Sequence, residues 1–160
     1  MPAAPRRTTS ALLALTVALP LLLVAGSAPA ERGDVRVETF AFTLTGAQET
    51  PPNGSLATGR GEIAIRDDRI RIRLDWENLS GPVTGAHLHG PALVGSNAPI
   101  AFDLVPGKLP EGAASPLEAE FEIDRAQRGQ FLAGLFYANL HTAIYPGGEI
   151  RGQVVRRADD

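Results

Sequence analysis

The sequence predicts an all-β fold: an antiparallel Greek-key β-sandwich or barrel of seven to eight short strands with one short helix. Two observations lead there. Past residue 35, apolar and polar residues alternate at period two in segment after segment, the pattern of half-buried strands. The 17 glycines and 13 prolines cluster between those segments, which favours frequent turns over long helices.

Phe40, Phe42 and Leu44 alternate in the first segment, and Ile63 and Ile65 form a short second. Ile70, Ile72, Leu74 and Trp76 alternate with Arg69, Arg71, Arg73 and Asp75, and Asp67-Asp68 precedes them as a tight hairpin turn. Ile100, Phe102 and Leu104 follow. Leu117, Ala119, Phe121 and Ile123 come next, with Glu118, Glu120 and Glu122 toward water. Segments 135–141 and 149–155 complete the set. Such alternation means antiparallel sheet with one wet face. The arginines of 69–73 therefore read as a solvated face opposite acidic neighbours rather than as a polyanion-binding stripe. One helix is expected. Asp124 and Gln127 form a capping-box pattern, Phe131, Leu132 and Leu135 an apolar stripe, and Gly129 limits the helix to about two turns. Loops fall at 51–54, 91–99, 106–116 and 146–148, and no internal repeat is visible.

Residues 1–30 read as a secretory signal peptide. Arg6 and Arg7 precede an apolar run over 11–25, and Ala28 and Ala30 supply a small-x-small site with cleavage after Ala30. The run is short of the roughly 20 residues that a membrane anchor needs, and Pro20 interrupts it. Leu23-Val24-Ala25-Gly26-Ser27 has the form of a lipobox with serine where the lipidated cysteine would stand. The Arg6-Arg7 pair fits a twin-arginine export signal weakly. The expectation is one domain over 31–160, exported to the periplasm or secreted, with no membrane span after cleavage. Cleavage removes two arginines and no acids, taking the formal charge from −3 to −5. No general basic surface for nucleic acid follows from that balance. The chain has no cysteine, so disulfides, thiolate metal sites, iron–sulfur clusters and thiol nucleophiles are excluded. There is no Gly-x-Ser-x-Gly elbow and no phosphate-binding glycine loop, and no catalytic residue is assigned.

The three histidines fall in two motifs. His87 and His89 lie in Gly85-Ala86-His87-Leu88-His89-Gly90, and His141 lies in Asn139-Leu140-His141-Thr142. Residues i and i+2 of a strand project from one face, about 7 Å apart along it. Two imidazoles so placed can converge on one ion while Ala86 and Leu88 pack the opposite face. A third from a neighbouring strand completes a three-nitrogen site, which suits copper or zinc and leaves a position for water or substrate. Ligands about 2 Å from one ion require the ring nitrogens to come within about 4 Å of one another. The other reading is a hydrogen-bonded polar cluster that fastens two strands, with Asn139 or Thr142 as partners. Glu49, Glu149 and Arg151 also stand out. A buried Glu–Arg pair pinning the first strand to the last is one role for them, and a carboxylate orienting a histidine is the other.

From about Phe42 to Val154 the chain resembles the CHRD (chordin-type) domain family. The residues carrying the resemblance are Leu44-Thr45-Gly46-Ala47-Gln48-Glu49-Thr50-Pro51-Pro52, Gly59-Arg60-Gly61, Val83-Thr84-Gly85-Ala86-His87-Leu88-His89-Gly90-Pro91-Ala92, Tyr137-Ala138-Asn139-Leu140-His141-Thr142 and Pro146-Gly147-Gly148-Glu149-Ile150-Arg151-Gly152-Gln153. Ala138-Asn139-Leu140 departs from the family's usual Val-Asn-Val. The resemblance implies an extracellular or exported β-rich module. Such modules occur in animals as repeats in a secreted protein that binds growth factors, and in microbes often alone.

A more distant resemblance concerns mechanism. Residues 85–90 are similar to the Gly-x-His-x-His segment of copper/zinc superoxide dismutases, also Greek-key barrels, where the pair binds copper and a late histidine adds a ligand. It implies His87 and His89 as the pair and His141 as the late ligand. With no histidine left for a bridge or a zinc loop, it implies a copper-only site. The expected function is a non-catalytic binding or scaffold module for an extracellular or periplasmic protein, carrying a histidine metal site. The alternative is a mononuclear copper-binding protein with a superoxide-dismutase-like redox or metal-handling role. Copper is the expected ion, zinc the second choice.

Overall fold

The computed structural model describes Met1, residues 37–106 and residues 113–156. The expected signal peptide, its cleavage site and part of the 106–116 loop therefore lie outside the described residues. Eight strands run in the order β1 (Val37–Thr45), β2 (Thr58–Arg66), β3 (Arg69–Glu77), β4 (Val83–His89), β5 (Ile100–Asp103), β6 (Leu117–Glu122), β7 (Tyr137–Thr142) and β8 (Ile150–Gln153). The single α-helix of the described residues, α1, spans Arg125–Leu132 between β6 and β7, and a three-residue 3-10 turn, Gly46–Gln48, follows β1.

All strand pairs are antiparallel, in the order β5-β4-β7-β8-β1-β2-β3-β6. The edge strands β5 and β6 approach each other through Phe102 and Phe121, whose ring centroids are 5.1 Å apart. The sheet thus curls into a nearly closed barrel. β4 lies beside β7, and β3 beside β6, so the connections cross as in a Greek key. Both the expected fold class and the strand number are borne out.

The period-two residues do what their spacing requires. Phe40, Leu44, Ile65, Ile70, Ile72 and Leu74 are almost wholly buried inside the barrel. The arginines of β3 face solvent and pair across to β6: Arg69 with Glu120 and Glu122, Arg71 with Glu120, Arg73 with Glu118. Their side chains are 41–71% exposed, so the ladder is a solvated face, as expected. Asp67-Asp68 forms the β2–β3 turn, with Asp67 at φ +56°.

The capping box of α1 closes in both directions. Gln127 N donates to Asp124 Oδ1 at 2.8 Å, and Asp124 N donates to Gln127 Oε1 at 2.9 Å. Phe131 inserts into the core and stacks on Phe136 with 3.9 Å between centroids; burying such a ring contributes about 2–3 kcal/mol. Leu135, expected on the helix stripe, lies outside the helix. Gly134, at φ +69°, takes the left-handed position that stops α1 before it. No helix among the described residues is long and apolar enough to cross a membrane.

Candidate metal-binding site

One wall of the barrel is covered on both faces. Inside it, Ala86, Leu88, Ala138, Leu140 and Ile150 are fully buried against the core. Outside it, the alternate residues of β4, β7 and β8 form a polar array. Register places Gly85 opposite His141, His87 opposite Asn139, and His89 opposite Tyr137. The next strand sets Arg151 beside Asn139 and Gln153 beside Tyr137. Asn139, Arg151 and Gln153 are buried although they point away from the apolar core. Contacts from the segments around Thr50, Ser96–Ala98 and Pro146 cover this face.

The structure brings His87, His89 and His141 together. One ring nitrogen from each lies within 4.8 Å of the other two, and all three residues are half-buried. Gly85 makes room for them: a Cβ there would stand 3.0 Å from His87 Cε1 and 3.2 Å from His141 Cδ2. His87 Nδ1 and His141 Nε2 are 3.0 Å apart, and the His89 ring stacks on Tyr137. Bonds of 2.0–2.1 Å to one ion allow nitrogens at most about 4.2 Å apart, so the widest pair would have to close by about 0.6 Å.

Hydrogen bonds fix the protons. His89 Nδ1 lies 2.9 Å from the Ala98 carbonyl, and His141 Nδ1 lies 3.0 Å from that of Pro146. A carbonyl only accepts, so each Nδ1 carries the hydrogen, and a neutral ring then keeps its lone pair on Nε2. Outward bonds of this kind orient imidazoles that use the other nitrogen as a ligand. Burial, with the neighbouring rings adding repulsion, lowers the pKa of His87, and Asp103 opposes this. Burial likewise lowers that of His141, against the bond to Pro146 O. Both rings are therefore neutral at pH 7, the state that a metal requires.

Two oxygens complicate the picture. Asn139 Oδ1 stands 3.1 Å from His89 Nε2 and 3.0 Å from His141 Nε2. Behind Asn139 lies Glu49, only 7% exposed, with Oε1 buried and lacking a hydrogen-bond partner. Burial pushes the Glu49 carboxyl up to about 7, although the Arg151 charge, the Thr50 N–H and the Asn139 amide all pull the other way. The amide thus favours the ionised form without closing a hydrogen bond to Oε1. Gly148, at φ +129°, roofs this carboxylate; any Cβ there would overlap it.

Among the described residues Arg151 makes no direct ion pair with Glu49 or Glu149, although its charge acts on the nearby Glu49. Arg151 donates instead to Thr50 Oγ1, Asn97 Oδ1 and Ser96 O, and its guanidinium lies 3.4 Å from the Tyr137 ring centre. Glu149 accepts from Ser55 Oγ, Ser80 N, Ser80 Oγ and Thr142 Oγ1, at 2.6–2.8 Å. Burial alone would raise its pKa; those bonds outweigh burial and lower it. Hydroxyls and carbonyls supplied by the loops satisfy both charges, leaving no need for direct pairing. Tyr137 and Gln153 are parts of this face that the histidine motifs alone do not mark. The signal was present, because period two carried back from His141 through Asn139 reaches Tyr137.

No curated protein and no solved structure matches the chain. The family profile of the CHRD domain matches residues 40–154, a span that includes β4, β7 and β8 with all three histidines. The chain belongs to the CHRD domain family.

Proposed function

We propose that this CHRD domain is an exported, non-catalytic binding module built around one transition-metal ion held by His87, His89 and His141. The observation that carries this reading is the convergence of one ring nitrogen from each histidine, two of them held in orientation by backbone carbonyls. Three imidazoles without a thiolate suit copper or zinc, and the ordinary affinity order of divalent ions favours copper. Three protein ligands leave a coordination position for water or a small ligand. An extracellular or periplasmic protein is the proposed partner, and the 1–30 segment supports export. A dismutase-like redox role is the alternative for the same three residues, and superoxide dismutation is expected to be weak or absent.

A second reading has its own observation. The Asn139 amide lies against both His89 and His141, and a polar cluster of this composition fastens β4 to β7 without an ion. Copper loading followed by dialysis separates the two. The metal reading expects about one retained equivalent in the wild type and none in His89→Ala. Equal copper in both proteins, or none in either, would refute it. Copper loss with an unchanged melting temperature marks the ion as functional, whereas a large fall marks it as structural.

A further inference from the structure

The acceptor contacts around Asn139 do not balance. The Nε2 atom of His141 carries a lone pair, because its Nδ1 hydrogen is committed to Pro146 O and burial keeps the ring neutral. It faces the Asn139 amide oxygen at 3.0 Å, acceptor against acceptor, and the same oxygen lies 3.1 Å from His89 Nε2. In the low dielectric of a buried site such a contact is unfavourable, and only a donor or a cation between the atoms relieves it. On the other side of the amide, Glu49 Oε1 is buried and unpartnered.

Turning the amide over resolves both defects in the metal-free protein. Nδ2 then donates to an Nε2 lone pair, and Oδ1 faces Glu49, which must carry a proton to donate to it. When a cation takes the lone pairs, the amide nitrogen is repelled and turns toward Glu49, which accepts its hydrogen bond as a carboxylate. We propose that Asn139 and Glu49 are positioning residues for the metal site, coupling ion capture to release of one proton from Glu49 through reversal of the Asn139 amide. The proposal rests on the metal-site reading above. The proton leaves to solvent, and no other bond forms or breaks apart from those to the ion.

The surroundings of Glu49 fit this role. Its pKa of about 7 places the proton where a modest change in partners moves it. The charge acting on it is that of Arg151 from β8; Asn139 faces it from β7, the Thr50 N–H from its own loop, and the Gly148 backbone covers it. Arg151 holds the ionised form in place once the proton has gone.

Calorimetric titration with copper(II) in buffers of different ionisation enthalpy counts the protons released. At pH 6 the wild type should release about one more proton per ion than Glu49→Gln, and at pH 8.5 the two should match. Protons displaced from the imidazoles are common to both proteins and cancel. Equal counts at both pH values, with one ion bound by each, would overturn the coupling and leave the metal site standing. Failure of the wild type to bind copper would remove both. A second measurement needs no variant. The infrared difference spectrum of the wild type should lose a protonated-carboxyl band on copper addition at pH 6 and show no such loss at pH 8.5. Persistence of that band at pH 6 would also overturn the proposal.

Discussion

Replacing Glu49 by glutamine isolates the energetic consequence of a carboxyl group held in a buried site. Its pKa stands at about 7 in the folded protein against 4.5 in the open chain, with burial as the largest cause. Each unit corresponds to about 1.4 kcal/mol, so ionising this group within the fold rather than in the unfolded chain removes roughly 3 kcal/mol of stability. The folded state binds the proton more tightly, so the contribution is complete below pH 4.5 and is lost as pH rises through 7. Glutamine has nearly the same shape and never ionises. The free energy of unfolding of Glu49→Gln should therefore match the wild type near pH 4, then exceed it by about 3 kcal/mol at pH 8. His87 and His141 act in the opposite sense. Their lowered pKa values mean that stability falls as pH drops through the ordinary histidine value of 6.5, equally in both proteins. Subtracting the two profiles leaves Glu49 alone. Urea unfolding between pH 4 and 8.5, with chelator present, supplies both curves. A difference that is flat across this range, or that grows toward acid, would refute the account of Glu49.

Glu149→Ala should destabilise the fold by about 3 kcal/mol, since Ser55, Ser80 and Thr142 lose their shared acceptor. Because the Glu149 pKa is lowered, its contribution is present above pH 4.5 and lost as pH falls below it, so the variant's deficit in urea unfolding should shrink in acid. Gly85→Ala should weaken copper binding about tenfold in competition with a chelator, because its Cβ presses on the His87 and His141 rings. An unchanged affinity would mean that those rings have room to spare.

Much of this architecture was legible in the chain. Ile70, Ile72 and Leu74 set against Arg69, Arg71 and Arg73 fix a half-buried strand, because a pleated backbone turns successive side chains to opposite faces. Asp124 and Gln127 mark the start of α1 through a purely local pair of hydrogen bonds. The candidate ligands were legible for the same reason. The two-residue spacing of His87 and His89 puts them on one face whatever the rest of the fold does. The partners of Glu149 and Arg151 were not legible. Ser80, Ser96 and Asn97 reach them from loops with no periodicity, and loop paths depend on where the strands end in space.

Strand identity, the short helix and the face on which each histidine stands follow from local geometry, which acts over a few residues and is written directly in the order of side chains. The meeting of His141 with the other two histidines, the burial of Glu49 beneath Gly148 and the placing of the Asn139 amide between the imidazoles and Glu49 arise only when β7 settles between β4 and β8. Register between strands distant in sequence is a property of the whole packed sheet, because a shift of one residue would turn every side chain to the other face.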